Sequence, residues 1–180
     1  MSLPQRFSGD IPKCSITKTD LLLDFARGRL GSGIALERSP QSLDPVLNQV
    51  IAERRAGSPG RGIETTFDLT RAVDCDEGRI AQLFSNLLGN AVTHGTAERP
   101  THVHATTQNG KLELSVANAG EPIPSEAMER LFQPFYRLAE QGSQQGLGLG
   151  QYIASEIARA HDLVAGGDAV HVPDAASAAR

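Results

Sequence analysis

The chain has 180 residues, with 17 Lys and Arg against 21 Asp and Glu and a formal net charge of -4, a size that suits one domain with its own core. Without a Lys/Arg cluster it lacks the electrostatic footprint of a nucleic-acid or membrane-surface binder, and Cys14 and Cys75 have neither zinc-site spacing nor the density of a disulfide framework. No apolar run approaches the ~20 residues of a bilayer crossing and no signal-peptide pattern opens the chain, so a reduced, cytoplasmic setting is expected, compatible with a parent protein anchored in a membrane elsewhere.

The first predicted element is an amphipathic helix over Thr19 to Arg29, ended by Gly31 and Gly33. A second helix is expected from Asp44 as N-cap and Pro45 at the first helical position, with Val46, Leu47, Val50 and Ile51 on its apolar face and Gly57 as its stop. The Gly57-Ser58-Pro59-Gly60 loop leads to a strand over Ile63 to Leu69. Asp76 caps a longer helix, whose apolar residues Ile80, Leu83, Phe84, Leu87, Leu88 and Ala91 recur at helical spacing. At about 100° per residue, Arg79, Gln82, Asn86, Asn90 and Thr93 gather into one polar stripe beside that apolar face. Two strands follow, His102 to Thr107 and Lys111 to Asn118, joined through Asn109-Gly110, a dipeptide suited to a hairpin. The pattern turns helical again at Ser125, with Glu126 and Glu129 favouring a helix start, then becomes a loop from about Phe135 to Gly146. A last helix is expected from about Gly148 to Ala160, with Ile153, Ile157 and Ala158 inward. Helices and a largely antiparallel mixed sheet predict an α+β fold, a two-layer sandwich with helices on one face.

Three features carry chemistry. Gly146-Leu147-Gly148-Leu149-Gly150 opens a helix, where backbone amides and the positive end of the helix dipole suit phosphate; a glycine-rich start also arises from packing alone. No Gly-Lys-Ser/Thr follows, as a Walker loop would need, and the preceding Gln141 to Gln145 is no buried strand, as a dinucleotide fingerprint would need. Asn86 and Asn90 lie one turn apart, and their amide oxygens suit a hard cation such as Mg²⁺ that keeps waters and nucleotide phosphates; two asparagines also occur on a plain solvated face. Asn118 ends a strand just before Gly120, where backbone can approach a flat ligand and a side-chain oxygen can accept from an exocyclic amine; an Asx turn is the alternative there.

In their order these features resemble the histidine-kinase branch of the GHKL ATPase superfamily. Asn86-Leu87-Leu88-Gly89-Asn90-Ala91-Val92-Thr93-His94 is similar to the family's N box, and Asn118-Ala119-Gly120 through Pro124 to its first glycine box. Leu131 to Arg137 is similar to the F box and Gly146 to Gly150 to the second glycine box. The resemblance implies a Bergerat-type ATP-binding fold, with Asn86 at the catalytic position, Asn90 coordinating Mg²⁺, and Asn118 and Gly120 receiving adenine. It also implies that Gly146, Leu147, Gly148, Leu149 and Gly150 wrap the phosphates of ATP, that residues 137 to 146 form a lid, and that Arg137 contacts phosphate. Phe132 and Phe135 are expected as core that anchors the lid. Superfamily branches that hydrolyse ATP or phosphorylate serine usually carry glutamate where Asn86 stands, so the resemblance favours transfer to a nucleophilic imidazole, which needs no base.

The chain departs from the family at Asn118, usually aspartate, at Thr93, usually lysine or arginine, and at Pro122, usually glycine. No phosphoacceptor histidine with a following acidic residue and proline is present, since His94 is the first histidine. The implied organisation is a remnant of the dimerisation hairpin in residues 1–35, an ATP-binding catalytic domain in 36–172 and a disordered tail in 173–180. Gly166-Gly167 is expected to turn a degenerate hairpin between Leu163-Val164 and Ala169 to Val172. The expected function is γ-phosphoryl transfer from Mg-ATP to a histidine outside this chain. Implied partners are the phosphoacceptor domain and a response regulator, with a homodimer possible and no nucleic acid; the alternative is a degenerate nucleotide-binding or dimerisation module without phosphotransfer.

Overall fold

The structure, a computed structural model, describes residues 33–108, 111–120, 123–128, 130–136 and 147–163. The expected helix at Thr19 to Arg29, the Asn109-Gly110 turn, the lid, the hairpin around Gly166-Gly167 and the tail lie outside the described residues.

Strand β1 (Ser39–Gln41) pairs antiparallel with β3 (Val73–Cys75), Pro40 lying opposite Asp74. Arg38 closes this ribbon, its Nη2 donating to Asp74 O at 3.1 Å and its Nε lying 3.3 Å from the Asp74 carboxylate. Three-residue strands are too short for an alternation signal, and neither was foreseen from the sequence.

Helix α1 (Leu43–Gly57) buries Leu43, Val46, Leu47, Val50 and Ile51. It begins earlier than expected: Ser42 is the N-cap, without a side-chain cap bond, and Asp44 lies in the first turn. Asp44 stabilises the helix start there through the dipole rather than as a cap, while accepting from Asn48 Nδ2 at its carbonyl, 2.9 Å away.

Strand β2 (Ile63–Asp68) runs parallel to β4 (Thr101–Gln108), and β4 runs antiparallel to β5 (Lys111–Ala117), giving the order β2-β4-β5. A parallel pair needs a crossover, and here β3 and helix α2 (Glu77–His94) provide it. Helices α1 and α2 share one core with the sheet: Leu47, Ile51, Phe84 and Leu88 pack with Val103 and Ala105 of β4, and Leu112, Leu114 and Val116 of β5 lie against them. A second cluster joins Leu83 of α2 to helix α4 (Gly150–Ala160) through Leu149, Ile153 and Ile157. The short helix α3 (Ser125–Met128) lies between β5 and this pair in sequence. This is the expected α+β architecture, with helices layered over a mixed sheet. No helix among the described residues is long and apolar enough to cross a membrane.

Both ends of α2 are held by distant parts of the chain. At the N-terminus, Asp76 Oδ1 accepts from Arg79 N at 3.0 Å and Oδ2 from Glu37 N at 2.9 Å. The Asp76 amide donates to His161 Nε2 at 3.1 Å, while His161 Nδ1 lies 2.9 Å from Ile157 O. His161 therefore acts as the neutral tautomer with its proton on Nδ1, tying the end of α4 to the start of α2. At the C-terminus, Arg61 Nη2 donates to Val92 O at 2.6 Å and Gly95 O at 2.9 Å, satisfying carbonyls that the helix leaves open and opposing its dipole.

Two outcomes follow from this packing. Asp76→Ala removes an N-cap and is expected to lower stability by about 1–2 kcal/mol in urea titrations. Cys75 is fully buried, and desolvation, reinforced by the Asp74, Asp76 and Glu77 carboxylates and opposed by Arg38, pushes its thiol from 9.0 up to about 11. Because the folded state resists ionisation, the stability that this thiol contributes is complete below pH 9.0 and is lost as pH rises toward about 11. In a Cys14→Ser background, native Cys75 is therefore expected to resist thiol reagents at pH 8 and to react at once in denaturant.

Candidate nucleotide site

The polar stripe of α2 forms one wall of the candidate site. Asp76 fixes the helix start, and burial of Ile80, Phe84, Leu88 and Ala91 turns Asn86 and Asn90 away from the core, both half-buried. The stripe is not uniform, however. Gln82 is buried and accepts from Arg79 Nη1 at 2.8 Å, so the N-terminal part of the stripe is satisfied internally. Thr93 turns its hydroxyl back onto Gly89 O at 2.7 Å.

Asn86 faces the start of α4. A methyl group placed on Gly150 would lie 3.4 Å from Asn86 Oδ1, whereas Asn86 Nδ2 is buried without a hydrogen-bond partner among the described residues. Buried amide donors are rarely left open, because the unmade bond costs about 1–3 kcal/mol. An acceptor placed at this junction of α2 and α4 would satisfy it.

The glycine-rich segment is described from Leu147 onward, and Arg137 and Gly146 lie outside the described residues. Gly148 adopts φ +67°, and a Cβ there would meet Phe135 C at 3.0 Å and Tyr136 O at 3.1 Å. This left-handed residue delays the helix to Gly150, two residues later than the sequence suggested. Leu149 is fully buried in the α2–α4 core, so its side chain is packing and only its backbone is left for binding; Leu147 is exposed. Gly148 O accepts from Phe135 N at 3.0 Å. The expectation that Phe135 is core needs correcting: the residue has a left-handed φ of 63° and is 56% exposed, and its amide does the anchoring. Phe132 is half-buried.

The opposite end of α2 meets the loop after β5. Thr96 N donates to Ala119 O at 2.6 Å. A Cβ on Gly120 would lie 2.8 Å from His94 O and 3.0 Å from Asn118 Nδ2, and one on Gly95 would lie 3.2 Å from Asn118 Cβ. Asn118 is thereby wedged between the C-terminal turn of α2 and its own loop. The structure thus brings Asn86 together with Gly150, and Asn118 with Gly120, at different turns of one helix. Arg61, which fixes the second of these turns, escaped the sequence reading because a lone arginine before a strand has no spacing signature.

Gly148→Ala is expected to destabilise the fold by about 1–3 kcal/mol, through strain and the clash with Phe135. Gly150→Ala meets only an ordinary contact and is expected to change stability by less than about 0.5 kcal/mol in the same denaturation assay.

The sequence profile of the histidine kinase-, DNA gyrase B- and HSP90-like ATPases matches residues 75–174. The bacteriophytochrome of Pseudomonas aeruginosa is 34% identical over 142 residues, covering 78% of this chain and 20% of that protein. The sensor histidine kinase YkoH of Bacillus subtilis is 33% identical over 141 residues, covering 72% of this chain and 31% of its own length. The chain thus spans between a fifth and a third of these curated relatives. Among solved structures, full-length ShkA in complex with AMPPNP superposes with a TM-score of 0.62 at 29% identity, over 78% of this chain and 30% of ShkA. The matched segment holds α2, the loop after β5 and the α2–α4 junction, and on that basis the chain belongs to the histidine kinase-, DNA gyrase B- and HSP90-like ATPase family, as an ATP-binding catalytic domain of the sensor histidine kinase type.

Proposed function

We propose that the face of α2 between Asn118 and Gly150 holds Mg-ATP and presents its γ-phosphoryl group to a histidine carried outside this chain. The observation that carries this reading is the buried, unpartnered Asn86 amide at the start of α4, a donor that a phosphate oxygen would satisfy beside a helix N-terminus. The likeness to ShkA, solved in complex with AMPPNP, supports a nucleotide as the ligand. Asn118, wedged against Gly120, is assigned to the adenine amino group, and the segment from Gly146 to Gly150, with Arg137 from the lid, to the phosphates.

The donor set also fits Mg²⁺ of the kind that travels with phosphate. Among the described residues, no group of three or more His, Cys, Asp or Glu side chains could hold a metal, while Asn90 offers a neutral oxygen one turn from Asn86. A small hard cation bound by few protein oxygens keeps its waters and phosphate ligands. Held there by the Asn90 oxygen, Mg²⁺ would offset the charge that builds up as the group moves. The protein's own residues position the nucleotide and exclude water: the phosphorus leaves its bridging oxygen for an imidazole nitrogen, and ADP departs. A nucleophilic imidazole needs no general base, which suits the neutral Asn86. The acceptor domain and a response regulator are the proposed partners.

The test supplies the chain with radiolabelled ATP, Mg²⁺ and an acceptor-hairpin fragment from a related kinase. Acid-labile label on the fragment's histidine is expected, falling by at least about 100-fold with Asn90→Ala, as losing a charge-stabilising contact implies. Acid-stable label, or release of inorganic phosphate alone, would contradict the reading.

A further inference from the structure

Helix α2 carries a glycine, Gly89, in its fourth turn, between Asn86 and Asn90. A mid-helix glycine costs about 1 kcal/mol relative to alanine, so its presence calls for a local reason. The reason is spatial: a Cβ at this position would lie 2.8 Å from Arg54 Nη2 and 3.3 Å from Arg54 Cζ. Arg54, in the last turn of α1, therefore brings its guanidinium, Nη2 foremost, over Gly89, where a side chain would otherwise stand. Its hydrogen bond there, to Ser85 O, is long at 3.4 Å, for a group with five donors.

The position of this cation matters. Residues three and four apart on a helix are neighbours, with Cβ atoms about 5–6 Å apart. Gly89 is three residues from Asn86, four from Thr93 and adjacent to Asn90, so a guanidinium above Gly89 borders the stripe that the proposed phosphate site uses. Around Gly89 that stripe is otherwise built of neutral groups. Asn86 and Asn90 are amides, and Thr93 is turned back onto Gly89 O. Arg79, farther along, is engaged with Gln82. A triphosphate needs compensating charge, and a guanidinium on a flexible stem can swing a few ångströms from a weak backbone contact to a bidentate phosphate contact.

We propose that Arg54 is a phosphate-binding residue of the nucleotide site, delivered from α1 across the gap that Gly89 leaves in α2. This inference rests on the reading of the site as nucleotide-binding. It assigns the cation to a helix outside the N box, and it gives Gly89 a function separate from that of its asparagine neighbours.

The test separates folding from binding, because Gly89→Ala displaces only the far end of a flexible side chain while improving helix propensity. Affinities for Mg-ATP, Mg-ADP and adenosine are measured by calorimetry on wild type, Arg54→Gln, Arg54→Lys, Gly89→Ala and Asn118→Ala, with urea denaturation alongside. Arg54→Gln is expected to weaken ATP and ADP by about tenfold or more, the loss of a charge-assisted contact, and to leave adenosine unchanged. Arg54→Lys should recover part of the loss. Gly89→Ala should weaken ATP in the same way while its stability holds or rises. Equal weakening of ATP and adenosine, or loss of stability in proportion to affinity, would assign Arg54 a structural role and overturn the proposal. Unchanged ATP affinity in Arg54→Gln would overturn it while leaving the nucleotide reading intact. Wild-type protein that binds none of the three ligands would overturn that reading itself, and this proposal with it.

Discussion

Helix α2 is fixed at both ends by side chains that come from far along the chain, and the geometry of the site depends on that. Asp76 holds its first turn and is itself gripped by Glu37 and His161, while Arg61 closes its last turn. With the ends pinned and the apolar face sunk into the sheet, the helix cannot rotate, and a rotation of one residue, about 100°, would carry Asn86 and Asn90 off the cleft. The cap at Asp76 links α2 to α4 through His161, so the distance between Asn86 and Gly150 is set at the far end of the helix pair as well as at the contact itself.

The site built on this frame differs from a preformed metal or catalytic centre. Its described walls are amides and glycine backbone, with charge held at the margin. A neutral wall incurs little desolvation cost in the empty state and relies on the ligand and its cation to bring the charge. The open Asn86 donor fits that logic, since a fully satisfied apo site would have bonds to break before binding. The glycine at 148 acts by mechanical means, because its left-handed backbone lets Gly148 O receive the Phe135 amide and hold the start of α4 against the Phe135-Tyr136 segment.

Much of this was legible in the sequence. The spacing of Ile80, Phe84, Leu88 and Ala91 placed α2, Asp76 named its start, and the order of asparagines and glycines disclosed the family. The alternation of Leu112, Leu114 and Val116 fixed which face of β5 meets the helices, as the shared core confirms. What escaped was whatever depends on contacts between distant residues. Ser42 rather than Asp44 caps α1, a shift of two residues that sequence alone does not resolve when both candidates suit a helix start. The ribbon of β1 and β3 exists through pairing across more than thirty residues, for which three-residue strands carry no periodic signal. Phe135 was expected as core through the resemblance of its segment to the F box, and neither its positive φ nor its exposure is visible in the sequence. Arg54 and Arg61 carry no spacing signature, and what they hold is visible only from the backbone they reach.

The most direct measurement is a titration with Mg-ATP followed through the side-chain amide signals of the asparagines in a ¹⁵N-labelled sample, assigned by single Asn→Asp substitutions at 86, 90 and 118. The account expects the Asn86, Asn90 and Asn118 signals to move together and saturate at one nucleotide concentration, with the Asn86 Nδ2 protons shifting as an open donor gains its acceptor. Saturable binding that leaves those three signals in place, moving others instead, would put the nucleotide elsewhere and contradict the site described.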